Sequence, residues 1–247
     1  MLTRRRVLAG LLGGLLTPLR VWAQPAPPSN LRVNPMAILA SDAFNRADET
    51  PLASPWTQTF NTTRQFLLSA NTAIAEGVNL DCWMFMTGVT WPADQYAQGK
   101  VTVAGTSAGT GRGVLVRAQN ITTAKTYYRV VVSKAVSNNV ELVQFVAGAW
   151  SVLAQRTTTW VDGDVLRLEV TGSGATVTLK IFQNGSQLGA DVSDSSADRI
   201  TAAGNAGLGG SSTFTSGNVD DWEAGDFAAV AASVVTPRSF ALLGVGA

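Results

Sequence analysis

The chain has 247 residues, 46% hydrophobic and 14% charged, with a formal net charge of +1, a composition that excludes a disordered protein. It has no histidine and one cysteine, Cys82, which excludes a Ser-His-Asp triad, a Cys-His pair, a His-ligated metal and an internal disulfide. Residues 1–23 hold four of the 18 basic residues and no acid, so 14 basic residues face 17 acidic ones beyond them; nucleic acid needs a basic face, and none is offered.

In chain order, the first element is an address. Arg4, Arg5 and Arg6 precede an apolar run from Val7 to Leu16, and Val21-Trp22-Ala23 ends in a small residue. This is the layout of a secretory signal. The run is shorter than the ~20 residues of a permanent membrane span. Thr3-Arg4-Arg5-Arg6-Val7-Leu8 resembles the twin-arginine export motif; an ordinary secretory signal with extra arginines is the alternative. Either reading predicts a periplasmic or secreted bacterial protein. Residues 24–41 begin with Pro25, Pro27 and Pro28 and read as an extended linker, with Leu31 to Ala40 apolar enough for a first strand.

The body from 42 to 226 reads as strands. Val101 and Val103, then Val114 and Val116, are short alternating pairs. Tyr128, Val130 and Val132 alternate with Tyr127, Arg129 and Ser133, while Val140 to Val146 is apolar on both faces, as a central strand is. Leu166, Leu168 and Val170 oppose Arg167 and Glu169; Val177, Leu179 and Ile181 oppose Thr178 and Lys180. Asn184-Gly185 supplies a tight hairpin turn. Many strands without βαβ alternation predict an all-β, two-sheet sandwich. The last segment, 227–247, has no acidic side chain and two apolar pieces divided by Thr236-Pro237-Arg238-Ser239. It is too apolar for a solvated tail and is expected to pack, on its own domain or in a homo-oligomer.

Four segments carry a resemblance: DAFNRADETPLASPW (42–56), DQYAQGKVTV (94–103), GDVLRLEVTGSGATVTLKIFQNG (163–185), and AGLGG followed by NVDDWEAGD (206–226). In this order they resemble the concanavalin A-like lectin/glucanase superfamily, and within it the laminin-G-like jelly rolls of bacterial secreted and phage structural proteins. The resemblance implies an antiparallel jelly roll, with 42–56 as its first strand. It does not choose among lectins, hydrolases, lyases and structural modules.

Three kinds of site are weighed. A hydrolase needs two carboxylates on one cleft; the Glu-x-Asp-x-x-Glu strand of laminarinase-like members is absent, and no catalytic residue is assigned. A glycan face needs aromatic platforms beside polar groups, and Arg117, Tyr127, Arg129 and Trp150 are the candidates, with ordinary packing as the alternative. Asp42 and Asp221, on first and last strands that should be neighbours, could hold calcium; a salt bridge from Arg46 is the alternative, and no other cofactor is expected. The expectation is a non-catalytic carbohydrate- or surface-binding module, with a structural or assembly protein second and a glycan-active hydrolase or lyase third.

Overall fold

The computed structural model describes residues 36–58, 65–76, 80–103, 111–120, 125–133, 139–212 and 217–227. In chain order its strands begin with β1 (Met36–Asp42), β2 (Trp56–Gln58), β3 (Gln65–Ser69), β4 (Thr72–Glu76) and β5 (Leu80–Met86). Then come β6 (Gln95–Thr102), β7 (Arg112–Gln119), β8 (Thr126–Ser133), β9 (Asn139–Val146), β10 (Ala149–Thr157) and β11 (Asp164–Thr171). The series ends with β12 (Val177–Gln183), β13 (Ser186–Gln187), β14 (Val192–Asp194), β15 (Asn205–Ser212) and β16 (Asn218–Phe227). No helix among the described residues is long and apolar enough to cross a membrane.

The strands form two antiparallel sheets. Sheet A runs β13-β12-β11-β6-β16-β4-β3, with β1 also on β16 and β14 also on β12; sheet B runs β10-β9-β8-β7-β15-β5-β2. The all-β sandwich expected from the sequence is therefore the fold. Chain-distant strands lie side by side: β6 sits between β11 and β16, and β15 between β7 and β5. The first strand, β1, pairs with the last, β16, in a register that sets Met36 opposite Phe227 and Asp42 opposite Trp222.

Three hairpins turn on two residues that both have positive φ: Ala70 and Asn71 (50° and 61°), Ala147 and Gly148 (51° and 87°), and Asn184 and Gly185 (49° and 79°). Such turns match the right-handed twist of the strands they join. Only Asn184-Gly185 announces itself by residue type.

The core lies between the sheets. Leu166, Leu168, Val170, Val177, Leu179 and Ile181 face it from sheet A. Met84, Val114, Tyr128, Val130 and Leu142 face it from sheet B. Trp222 is central, edge-on to Trp56 at 4.8 Å and to Trp91 at 6.4 Å.

One expectation is corrected here. Residues 43–55 are not a strand; β1 lies before them and Asp42 closes it. The segment is instead a turn held by its own polar groups. Asp42 accepts from the Phe44 amide (2.8 Å), Arg46 Nη1 (2.7 Å) and Trp56 Nε1 (2.8 Å). Arg46 Nε also donates to Glu49 at 2.7 Å. A residue whose side chain binds its own local backbone competes with ladder pairing, and Phe44, at φ 54°, has left the extended region altogether.

Candidate functional site

Sheet B carries a second apolar cluster on the face turned away from sheet A. Alternation along β5 sends Cys82, Met84 and Met86 into the inter-sheet core and Trp83 and Phe85 the other way; Leu115, Tyr127, Val143 and Phe145 join them. Tyr127 stacks on Phe145 with ring centroids 4.7 Å apart, and Trp83 stands 5.1 Å from Tyr127. The Arg129 guanidinium lies between two rings, 4.7 Å from Trp83 and 4.9 Å from Phe145, where the negative ring faces attract a cation. Trp83 itself can lie so low because β15 offers glycine beneath it: a Cβ on Gly209 would come within 2.1 Å of the ring.

Register extends this row to the sheet edge. Tyr127 is opposite Phe145, and Phe145 is opposite Trp150. The inner members of the row are closed off, Trp83 at 1% and Tyr127 at 0% exposure, whereas Trp150 is 62% exposed, with Val152 beside it at 41%. Of the four residues expected on a glycan face, Tyr127, Arg129 and Trp150 thus share one face, but only Trp150 presents its ring outward. Trp83 and Phe145 were missed. The signal was the alternation around Cys82, obscured because both faces of that strand are apolar.

Arg117 is a correction. Simple alternation puts it beside Leu115, on the face opposite Val114 and Val116. A bulge between Val116 and Gln119, with Arg117 at φ 52°, inserts an extra residue and breaks that phase. Its side chain is wholly buried and donates to three carbonyls: Ala93 (2.7 Å), Ile200 (2.5 Å) and Gly172 (2.7 Å). Burial pulls its pKa below the ordinary arginine value, with Asp94 acting the other way from 3.6 Å. Beside it Tyr128 donates to Asp194 (2.5 Å) and accepts from the Ile200 amide (2.9 Å). These bonds anchor the loops at one end of the sandwich; Arg117 has no surface to offer a ligand.

The two acids considered for calcium are engaged by the chain's own cations. Asp42 is paired with Arg46 at 2.7 Å and Asp221 with Lys100. Asp221 has positive φ at a bulge in β16 and is exposed. Among the described residues no group of three or more Cys, Asp or Glu side chains is placed to hold a metal. A divalent ion would have to displace Arg46 and Lys100, so these residues do not fit a calcium site.

The Arg46 bracket has a pH signature. The hydrogen bond from Arg46, then the Ala53 amide, holds the Glu49 carboxyl below its ordinary value of 4.5. A carboxylate depressed by folding stabilises fully above its unfolded pKa, and that stabilisation is lost as pH falls through the lower folded value. Glu49→Gln should therefore lower Tm at pH 6 and narrow its gap to the parent below pH 4. A constant gap across that range would contradict the pairing.

No protein-family model matches the chain, and no curated protein matches it. Solved structures do. The chain is similar to a Bacillus subtilis protein of unknown function with a galectin-like fold, at 8% identity and a TM-score of 0.53, over 77% of this chain and 98% of that one. It is similar to the carbohydrate recognition domain of Emp46p in a mutant form, at 9% identity and a TM-score of 0.54, over 78% and 98%. The potassium-bound form of that domain gives 10% identity and a TM-score of 0.50, over 70% and 89%. At these identities the likeness establishes the fold alone: a sandwich of two antiparallel β-sheets.

Proposed function

We propose that the protein is an exported, non-catalytic glycan-binding module whose platform is the β10 edge of sheet B. The observation that carries this is Trp150, 62% exposed and in register with the buried ring of Phe145. An exposed indole on a sheet edge suits the apolar face of a sugar ring. The carbohydrate recognition domain of Emp46p, which shares this architecture, supports the reading. Export belongs to the proposal, since residues 1–23 lie outside the described residues.

Affinity gels with a panel of polysaccharides test it. The parent should be retarded by at least one, and Trp150→Ala should weaken that binding roughly tenfold, the equivalent of ~1.4 kcal/mol. Its Tm should match the parent, because substitutions at exposed positions usually stay within about 0.5 kcal/mol. A parent that no polysaccharide retards, or a variant retarded equally, would sink the proposal. One observation favours assembly as a second reading: Met36, Ile38 and Leu39 on β1 are exposed at 40%, 58% and 39%. A defined multimer by light scattering, with no polysaccharide bound, would favour it.

A further inference from the structure

Trp150 is one end of a longer row on the edge strand β10. That strand has a bulge between Val152 and Ala154. Leu153 and Ala154 both pack against the inter-sheet core, so the outward phase resumes one residue late. Strict alternation from Trp150 would turn Arg156 to the outer face of sheet B. The bulge puts Gln155 and Thr157 there instead, opposite Glu141 and Asn139 of β9. Arg156 is turned away and donates to the carbonyls of Leu188 (3.2 Å) and Ala190 (3.3 Å), between β13 and β14. The row therefore runs from an aromatic ring through Val152 to two polar pairs. Gln155 Nε2 donates to Glu141 at 3.0 Å, and Thr157 Oγ1 donates to Asn139 at 3.4 Å. Its ends are opposite Phe145 and Asn139, which at ~3.3 Å per strand residue makes it about 20 Å long. That is several sugar rings laid end to end. The strand is tied at both ends, by the Ala147-Gly148 turn and by Arg156, and a site fixed before binding loses little in ordering.

We propose that this row holds a linear polysaccharide lengthwise along β10, with one sugar stacked on Trp150 and a neutral sugar further along hydrogen-bonded by Gln155 and Glu141. The inference rests on the glycan reading above and adds to it the direction of the chain and the class of sugar. An amide both donates and accepts, and a carboxylate accepts from more than one donor; side by side they match the paired hydroxyls of a sugar ring. The bulge is what makes the row suited to hydroxyls, because it exchanges the cation of Arg156 for the amide of Gln155. Glu141 pairs with no cation among the described residues, so a uronate or sulfated sugar seated over it would meet a like charge. Arg129 lies one strand further in, opposite Val143, and its guanidinium is buried against the rings of Trp83 and Phe145. The proposal uses none of residues 228–247, whose expected packing lies outside the described residues.

Titration calorimetry on the full-length protein tests it. The probes are oligosaccharides of two to six units cut from whichever neutral polysaccharide retards the parent: β-glucan, xylan or galactomannan. Affinity should climb severalfold between two and four units. Gln155→Ala and Glu141→Ala should each remove most of that climb, leave the disaccharide bound as in the parent, and melt with the parent. Trp150→Ala should weaken binding at every length. An affinity that is flat beyond two units, or variants at Gln155 and Glu141 that bind the longer oligosaccharides like the parent, would overturn the inference. So would a parent retarded only by acidic chains such as polygalacturonate or alginate. In those three outcomes a loss of binding in Trp150→Ala leaves the glycan reading standing, whereas a parent that no polysaccharide retards brings down both.

Discussion

Replacing Arg117 by Ala is expected to destabilise the protein by about 3–5 kcal/mol, because it removes a buried cation and strands its partners. For a domain of this size that lowers Tm by roughly 10 °C, measurable by calorimetry. The reason is specific. Three backbone carbonyls from three separate loops, Ala93, Gly172 and Ile200, converge on one guanidinium. The Ile200 carbonyl would be left buried without this donor and those of Ala93 and Gly172 partly so, and burial without a partner costs about 1–3 kcal/mol per group. Arg117→Met keeps much of the packing and should be almost as harmful. Arg117→Lys returns the charge but not the planar fork of donors, and should fall between. If all three variants melt with the parent, the side chain is not the tie described. A surface arginine serving a ligand would behave in that way.

Trp222→Ala is expected to cost about 3–5 kcal/mol, within the range for removing a large aromatic from a packed core. Trp222 is 1% exposed and touches Trp56 and Trp91 edge-on, so its loss opens a void bounded by two other rings. Its Nε1 also donates to the Gly207 carbonyl on sheet B at 3.2 Å, a bond that crosses from one sheet to the other. Trp222→Phe fills part of the space without the donor and should recover about half of the loss. A Tm for Trp222→Ala within two degrees of the parent would mean that the centre of the sandwich lies elsewhere. The same substitution at Trp150 should leave Tm unchanged, and this contrast separates an aromatic that builds the fold from one that is offered to a partner.

The strand faces were legible because period-two alternation is a direct projection of the pleat onto sequence. Leu166, Leu168 and Val170 needed nothing more. The bulges were not legible. Whether Val116 and Arg117 share one partner residue depends on β8 and β15, strands that lie far along the chain from them or across a turn, and one inserted residue reverses every inference after it. That is why Arg117 was expected outside and lies inside. The aromatic face was half legible: Tyr127 and Arg129 could be grouped by alternation and Trp150 placed beside a turn after Gly148-Ala149, but a strand apolar on both sides, such as Cys82 to Met86, gives no sign of which ring faces where. The segment from Asp42 to Trp56 carried its residues in plain view. What the pattern did not convey is that Asp42 spends its carboxylate on the turn, on Arg46 and on Trp56, so that the backbone there meets β3 only at the bridge of Glu49 with Leu68 and the bond from Leu52 to Phe66.

The pairing of β1 with β16 has one more consequence. Met36 and Phe227 are register partners, and opposed residues in antiparallel strands have Cα atoms about 5 Å apart. Entry to and exit from the sandwich therefore share one doorway. A body with such a doorway can be spliced into a surface loop of a host protein without prising the loop apart, or strung in a series in which each copy hangs to one side of the thread. The order of its strands can also be rotated: a short linker across the doorway, with new ends opened at Asn184-Gly185, changes the sequence order while leaving every pairing in both sheets intact.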